Sequence, residues 1–275
     1  MTTALPLPPP ATPWPWPPLI KASAVVHAGA AAAALLPGLW PWALGAVVAN
    51  HALLTATGLW PRSRWLGPNV TRLPGSRAQV AITIDDGPDP AVTPAVLDQL
   101  DAAGARATFF VIVERAAAQP ALLREIVRRG HSVQNHSHAH RKHFSLWGPG
   151  AMERDIARGQ ALLAELTGRA PHAFRAPAGL RSPLLDPVLH RLGLHLVSWT
   201  RRAFDTRVGD PARVLRRLST GLAAGDILLL HDGHAAHGAD GRPVILNVLP
   251  TLLQRCRDAG LQTVTLDEAL PPRHS

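Results

Sequence analysis

The sequence predicts an α/β fold with a largely parallel sheet or barrel, and three observations lead to this class. From residue 79 onward, short apolar runs of strand character alternate with longer stretches of helical character. Many of the helical stretches end in a glycine directly before the next strand, which is the usual C-terminal cap of a helix. Polar residues suited to metal binding and proton transfer fall at the carboxyl ends of strands, where parallel barrels carry their active sites.

Length and charge limit the classes of function. The chain has 275 residues and a formal net charge of +9. The arginines that carry this charge are scattered along helical stretches without interleaved aromatic residues, so we expect no nucleic-acid partner. A basic surface near anionic lipid fits the same charge. The single cysteine, Cys256, excludes an intrachain disulfide and is expected to be a packed apolar residue.

The N-terminal region differs from the rest of the chain. Residues 1–18 are rich in proline, which predicts an extended, disordered N-terminus. Two apolar stretches, 19–36 and 39–60, flank the turn Pro37-Gly38, and each approaches the ~20 residues that cross a bilayer. We therefore expect a transmembrane helix hairpin over residues 19–60. A linker at 61–77 and a catalytic domain at 78–275 would follow it.

Charge gives this hairpin an orientation. Lys21 precedes it and several arginines follow it, whereas the turn has no basic residue. The positive-inside rule then predicts a two-pass protein of a bacterial-type cell membrane with a cytoplasmic catalytic domain, the extracytoplasmic side being the alternative. His27, Asn50 and His51 are unfavourable in lipid and are expected to face each other. A cleaved signal peptide and a soluble hairpin packed on the domain are alternatives to the membrane hairpin.

Seven strands are predicted in the domain, with helical patterns between most of them. The predicted strands are 79–84, 107–113, 131–135, 173–175, 195–199, 226–231 and 262–265. The glycines that end helical patterns are Gly104, Gly130, Gly168, Gly193, Gly225 and Gly260. The repetition is of elements and not of sequence, which argues against a solenoid.

Two adjacent acids, Asp85 and Asp86, end the first strand in the run Ile-Thr-Ile-Asp-Asp-Gly-Pro. A buried carboxylate needs a partner or a metal. We expect one of the two acids to bind a metal ion while the other stays free as a base. Asp-Gly-Pro is also common in solvated turns, and such a turn is the alternative.

A histidine cluster follows the third strand. His136 and His140 are four residues apart, so on a helical turn their rings would share a face and could bind one metal ion. His138 lies between them and would point elsewhere. One carboxylate with two imidazoles matches an open catalytic zinc site and also suits Fe2+. A basic, histidine-rich surface loop is the alternative.

Three later segments add polar residues at the same end of the strands. Arg175 ends the fourth strand before a rigid loop, Asp205 follows the fifth, and His231 ends the wholly apolar sixth. Taken singly, these residues could be a salt-bridged arginine, a loop acid and a satisfied core histidine. Because five strands place such residues at one rim, we favour a functional site.

In this order, the motifs resemble those of the polysaccharide deacetylases, the NodB-homology family, also called carbohydrate esterase family four. The resemblance covers about residues 78–270. It rests on Thr-Ile-Asp-Asp-Gly-Pro at 83–88, His-Ser-His-Ala-His at 136–140, Arg-Ala-Pro-Ala-Gly at 175–179, Asp205 and Leu-Leu-His at 229–231. The resemblance implies a distorted (β/α)7 barrel and the removal of N- or O-linked acyl groups from sugars. It also implies one divalent metal, usually Zn2+, with Fe2+, Co2+, Mn2+ or Ni2+ as alternatives.

The resemblance also implies a role for each matching residue. The metal ligands would be Asp86, His136 and His140. Asp85 would be the general base and His231 the general acid. Arg175 would hold Asp85, and Asp205 would orient His231.

The sugar-facing wall departs from the family pattern. The main-chain N–H near Ala178 would help to bind the oxyanion, with Leu229 lining the substrate site, but Ala178 replaces an aromatic residue that commonly walls the sugar groove. Arg202 stands where the family often has an acid, and Thr206 where it often has tryptophan. We expect these departures to affect the choice of substrate and not the metal chemistry.

The expected function is therefore metal-dependent removal of an acyl group, acetyl in the simplest case, from an acylated amino-sugar glycan. The first alternative is a deacylase or deformylase of a lipid-linked sugar at the cytoplasmic membrane face. A catalytically weak carbohydrate-binding membrane protein and an iron oxygenase with two histidines and one carboxylate are the others. The complete set of acids and histidines argues against the carbohydrate-binding protein. The seven βα units and the free acid Asp85 argue against the oxygenase.

Overall fold

A parallel sheet of eight strands forms the centre of the protein, and the computed structural model describes residues 13–272. The strands are β1 (Gln79–Asp85), β2 (Ala107–Val111), β3 (Ser132–Asn135), β4 (Ala173–Phe174), β5 (His195–Leu196), β6 (Arg201–Arg202), β7 (Ile227–His231) and β8 (Gln262–Thr263). The helices are α1 (Pro18–Ala34), α2 (Trp40–Gly58), α3 (Thr93–Ala102), α4 (Val113–Ala118), α5 (Pro120–Arg128), α6 (Pro149–Thr167), α7 (Leu185–Arg191), α8 (Pro211–Ser219), α9 (Val244–Asp258) and α10 (Leu266–Ala269).

The sheet is an open half-barrel. Its strands follow the order β5-β4-β3-β2-β1-β7-β6, and β8 pairs with the start of β1. Strands β5 and β6 lie at the two ends of this path, and no ladder joins them within residues 13–272. The predicted parallel α/β class is confirmed, while the distorted barrel is corrected to a half-barrel.

The register of the central strands positions the site. Strands β1, β2 and β7 are buried along almost their whole length, so they read as continuous apolar runs. Asp85 at the end of β1 pairs with His231 at the end of β7. On the other side, Asn135 of β3 pairs with Phe174 of β4, which brings the following residues, His136 and Arg175, to the same rim.

All seven predicted strands occur, and most are shorter than predicted. The two-residue strand β6 was not predicted, because two consecutive arginines have no strand pattern. The six glycines predicted to end helices all adopt a positive φ, between 61° and 83°. Cys256 is fully buried in the core, as the sequence predicted.

Helices α1 and α2 form the predicted hairpin, but the prediction that it crosses a membrane is not supported. Among the described residues, no helix combines the length and the apolar character that a span requires. Helix α1 has 17 residues, short of the ~20 required, and α2 carries Asn50 and His51 near its centre. His27 and His51 meet as predicted, with their Nε2 atoms 3.2 Å apart, whereas Asn50 donates to Ser23 Oγ at 2.8 Å, a partner that was not predicted.

The hairpin packs on the domain through its N-terminal approach and its C-terminal end. Residues 1–12 of the predicted disordered N-terminus lie outside the described residues, but Trp14 Nε1 donates to Asp186 Oδ2 at 2.7 Å. The main-chain N–H of Arg181 donates to the Gly58 carbonyl at 3.2 Å. The predicted linker also joins the domain, since Val70 bridges to the strand region beyond β5. The cytoplasmic location was inferred from a membrane span and stays a prediction.

Candidate active site

One cavity of about 640 Å³ lies at the carboxyl ends of the strands and collects most of the predicted site residues. The predicted residues that line it are Asp85, Asp86, His136, His140, Ala178, Leu229 and His231. Arg175 and Asp205 lie behind this lining, almost completely buried, and contact Asp85 and His231 respectively. All nine predicted residues therefore belong to one site.

Asp86, His136 and His140 form a compact cluster of potential metal ligands. Each imidazole Nε2 lies 3.4 Å from Asp86 Oδ1, and the three ligand atoms lie within 4.8 Å of one another. Asp86 follows β1 with a φ of 75°, which turns its carboxylate away from the strand direction and into the cavity. The cluster combines two nitrogen donors and one oxygen donor, a set that suits zinc and several other divalent ions.

The loop that carries the two histidines is not helical, so the predicted shared helix face is wrong. Ser137 and His140 have φ values of 66° and 47°, which a helix does not allow. Local side-chain acceptors hold this shape, since Asn135 Oδ1 accepts from the Ser137 N–H and Ser137 Oγ accepts from the His140 N–H. His138 points away from the cluster, as predicted, and its Nε2 lies 3.9 Å from Glu114.

Two observations show that the cluster fits a divalent cation. The His136 Nδ1–H donates to the Arg175 carbonyl at 2.8 Å, which leaves Nε2 with a lone pair towards Asp86. Asp86 Oδ1 is buried and accepts no hydrogen bond from the described part of the chain. A buried carboxylate oxygen without a donor is costly unless a cation compensates it.

Electrostatics favour the metal-binding forms of Asp86 and His140, whereas at His136 burial is outweighed by Asp85 and Asp86, which raise the pKa of its ring. Burial alone would raise the pKa of Asp86, but the neighbouring His136 ring and the hydrogen bond from His234 hold it far below its usual range. Burial and the neighbouring His136 lower the pKa of His140 to about 4, so its ring is neutral at pH 7. Neutral imidazole and ionised carboxylate are the forms that coordinate a metal.

Asp85 is held by the guanidinium of Arg175. Arg175 Nη1 donates to Asp85 Oδ1 at 2.6 Å and to Thr83 Oγ1 at 2.9 Å. The remaining guanidinium groups donate to main-chain carbonyls, and the plane lies 4.0 Å over the ring of Phe110. Asp85 Oδ2 is left on the cavity side, 3.8 Å from His136 Nε2. The second acid thus has one oxygen fixed and one oxygen available.

His231 is held in the same way by Asp205. The His231 Nδ1–H donates to Asp205 Oδ1 at 2.9 Å, and the His231 main-chain N–H donates to Oδ2 at 2.7 Å. Burial opposes the charge on the ring, but Asp205 outweighs it and raises the pKa of His231 to about 9. The ring is therefore protonated at neutral pH, with Nε2 left for the cavity that His231 lines.

Ala178 and Leu229 line the same cavity as the two histidines. Ala178 sits in a 3₁₀ turn over Pro177–Gly179 with φ 56° and ψ 4°, a left-handed conformation that is uncommon for alanine. Leu229 is buried in β7, two residues before His231.

Two residues of the site were missed by sequence reasoning. His234 Nδ1–H donates to Asp86 Oδ2 at 2.9 Å, and Arg115 donates to His234 Nε2 at 3.0 Å and to the Asp86 carbonyl at 2.9 Å. The sequence did contain an indication of His234, since it lies three residues after His231 in the run His-Asp-Gly-His. Arg115 lies in a helix between strands, where no sequence pattern marks it.

Comparisons with known proteins agree with this geometry. Residues 73–197 match the family model described as polysaccharide deacetylase. A peptidoglycan-N-acetylglucosamine deacetylase from Bacillus cereus is 30% identical over 204 residues, which are 74% of this chain and 92% of that protein. This chain belongs to the polysaccharide deacetylase family. The resemblance identified from the sequence motifs is therefore confirmed, and with it the prediction of a hydrolase.

Further relatives of this deacetylase carry related names. A chitooligosaccharide deacetylase from Azorhizobium caulinodans is 34% identical over 59% of this chain and 77% of its own length. A peptidoglycan-N-acetylglucosamine deacetylase from Listeria monocytogenes is 30% identical over 69% of this chain, which spans only 38% of that longer protein. Among solved structures, a family 4 carbohydrate esterase from Streptomyces lividans in complex with acetate has a TM-score of 0.63 and 29% identity. It is matched over 73% of this chain and 99% of its own.

Proposed function

We propose that this deacetylase removes the N-acetyl group from N-acetylglucosamine units of a glycan such as peptidoglycan or chitooligosaccharide. The names of its relatives support this substrate class. The observation that carries the proposal is the content of one cavity, where a cluster of metal ligands lies beside a free carboxylate and a protonated imidazole. These three components together can activate water, accept its proton and protonate the departing amine, which are the steps of metal-dependent amide hydrolysis.

Asp86, His136 and His140 would hold the cation in this scheme. A divalent ion bound there would lower the pKa of a water molecule towards ~7 and polarise the amide carbonyl. Three protein ligands leave positions open for water and substrate, as catalytic zinc sites do. We expect zinc, and Fe2+, Co2+, Mn2+ and Ni2+ suit the same donors.

Asp85 would act as the general base. Arg175 fixes one carboxylate oxygen, so the other is presented to the cavity in a defined orientation. Asp85 would take a proton from the attacking water while the C–O bond forms at the acetyl carbon. The main-chain N–H of Ala178 would donate to the oxyanion, which develops at the former carbonyl oxygen.

His231 would act as the general acid. At neutral pH its ring carries the proton that the departing amine needs, because Asp205 raises its pKa to about 9. As the C–N bond breaks, Nε2 would donate this proton to the sugar nitrogen, and acetate would leave with the water oxygen. Asp205 would keep Nδ1 protonated and the ring oriented throughout.

A lipid-linked sugar is a second candidate substrate, and a path of cavities favours it. A second cavity of about 690 Å³ shares Ala178, Trp199 and Arg202 with the first. It also shares Leu59 and Leu180 with a third, predominantly apolar cavity of about 430 Å³ beside the hairpin. A sugar in the first cavity could thus extend an apolar chain towards the hairpin.

The test is acetate release by the metal-loaded protein from chitooligosaccharides, peptidoglycan and a polyprenyl-linked N-acetylated sugar. We expect release from at least one of the two glycans and a large loss of it in Asp85→Asn, the control that keeps the metal ligands. Release from the lipid-linked sugar alone would replace the first substrate class by the second. Glycan binding without any acetate release would favour the carbohydrate-binding alternative and contradict the proposal.

A further inference from the structure

Arg202 is a half-buried arginine without an acidic partner at the edge of the catalytic cavity. Its guanidinium carbon lies 5.1 Å from the ring centre of Trp199 and 4.9 Å from that of Phe204. Its Nε is buried and finds no hydrogen-bond acceptor among residues 13–272. Its neighbour in the same strand, Arg201, has an acidic partner, since Arg201 Nε donates to Asp226 Oδ2 at 2.5 Å.

The second cavity, which Arg202 shares with the catalytic one, is strongly cationic. Four arginines line it, and its lining contains no acidic residue: Arg62, Arg201, Arg202 and Arg217. Of these, Arg62 and Arg217 donate to the main-chain carbonyls of Thr200 and Ala203, and neither forms a salt bridge within the described chain. Three of the four charges thus lack a carboxylate.

This arrangement is suited to an oxyanion. A guanidinium offers several donors in a fixed plane and binds carboxylate or phosphate in a bidentate manner. The aromatic rings on either side of Arg202 restrict its motion, so little entropy is lost when an anion binds. Burial lowers the pKa of Arg202 although the more distant charges of Asp85 and Asp205 oppose this shift, and a bound anion would offset the remaining cost of the buried charge.

We propose that Arg202, with Arg62 and Arg217, forms a subsite for a carboxylate or phosphate group on the part of the substrate that adjoins the acetylated sugar. This inference rests on the proposed function and narrows its substrate class to glycans that carry an anionic group beside the acetylated sugar. The subsite adjoins the catalytic cavity, because Ala178, Trp199 and Arg202 line both cavities.

The experiment compares kcat/KM for three N-acetylated substrates. They are a neutral chitooligosaccharide, a peptidoglycan oligosaccharide with a carboxylate on alternate sugars, and N-acetylglucosamine 1-phosphate. We expect the wild type to prefer one of the anionic substrates over the neutral one, and the preferred substrate identifies the anion. Arg202→Gln should reduce this preference by about tenfold, mainly through KM, because a hydrogen-bonded charge pair is lost.

Arg213→Gln is the matched control. It removes the same charge from the exposed face of α8, outside both cavities, and should leave the preference unchanged. Arg62→Gln serves as a second test variant, because Arg62 is exposed and its replacement leaves the core intact. An unchanged preference in both Arg202→Gln and Arg62→Gln, or a wild type that favours the neutral substrate, would overturn the subsite.

A binding measurement separates this inference from the proposed function. In the metal-loaded Asp85→Asn protein, calorimetric titration compares N-acetylglucosamine 1-phosphate with N-acetylglucosamine itself. We expect tighter binding of the phosphate, weakened about tenfold by Arg202→Gln and by raised salt. If the wild type releases no acetate but this difference is found, the proposed function fails and the subsite stands. Equal binding of the two sugars, with equal binding of the neutral chitooligosaccharide and the carboxylate-bearing peptidoglycan oligosaccharide in the same titration, contradicts the subsite.

Discussion

The two halves of the catalytic cavity satisfy their polar groups in different ways. We call Asp85, Arg175, Asp205 and His231 the proton-transfer half, and Asp86, His136 and His140 the metal half. In the proton-transfer half, each working group has a charged partner at hydrogen-bond distance, 2.6 Å for Asp85 and 2.9 Å for His231. In the metal half, the facing atoms are 3.4 Å apart, and Asp86 Oδ1 has no donor within the described residues.

This difference indicates how each half is built. Strand register and buried ion pairs fix the proton-transfer half before any ligand binds, since Asp85 and His231 are register partners. Loops with residues in the left-handed conformation supply the metal half. Its three ligand atoms obtain an interaction partner only when a cation binds between them. Substitutions in the two halves should therefore have separable effects on metal content and on rate.

The largest expected effect is the loss of the metal half. His136→Ala and His140→Ala should each reduce the metal content from about one ion per chain to a small fraction of that value. Activity should fall to background. His138→Ala is the matched control, because it lies in the same loop but faces Glu114. The measurement is metal analysis of the purified variants. Retention of the ion in both of them would show that this cluster is not the metal site.

Asp85→Asn should separate the two halves most clearly. An amide cannot accept the proton, so we expect about a 10²–10⁴-fold loss of kcat with the metal content unchanged. Asp86→Asn should instead weaken metal binding, because it replaces the ionised ligand. Steady-state rates and metal titrations on both variants decide this, and exchanged phenotypes would reverse the roles of the two acids.

Asp205→Asn should shift the pH dependence of the reaction. The wild-type rate should fall as pH rises through about 9, where His231 loses its proton. Without the carboxylate the pKa of His231 would drop to its ordinary value of ~6.5 or below, which lowers the protonated fraction at pH 8 roughly thirtyfold. Burial has this effect on His131, whose pKa it lowers to about 4. An alkaline limb at the same pH in wild type and variant would exclude His231 as the acid.

The smallest effect is expected for His234, which orients a metal ligand. His234→Ala should weaken metal affinity by about 10–100-fold and change the rate little once metal is saturating. His237→Ala, in the same exposed segment, is the control. Metal competition with a chelator measures the affinities. Equal affinities for wild type and His234→Ala would show that Arg115 and the backbone alone orient Asp86.

The fold was largely predictable because its strands are buried on both faces. Continuous apolar runs such as Ile-Leu-Leu-Leu before His231 have one structural interpretation, and helix-ending glycines separate them. The two helices of the hairpin were predictable, but the environment in which they lie was not. Apolar content led to the prediction of a span, whereas no described helix has the length and apolar character of one, and Asn50 of α2 donates to Ser23 of α1.

The site residues at strand ends were predictable, whereas those whose position depends on loop conformation were less so. Asp85 and His231 were identified from their position at strand ends, and the register brings them together. His136 and His140 were identified correctly as neighbours but through a helical turn that does not exist, because spacing cannot show left-handed backbone at Ser137. The proposed role of Arg202 depends on the structure, because the sequence does not show which acceptors lie near its guanidinium.

The most direct test of the account is a metal titration of the metal-free wild type with acetate release as the readout. Stepwise addition of Zn2+, measured on whichever N-acetylated substrate the wild type cleaves, should raise the rate in proportion to bound metal. The rate should level off at about one ion per chain, as a single three-ligand site requires. Full acetate release by the metal-free protein, or none at one bound ion, would contradict the central claim that this cluster is the metal centre of a deacetylase.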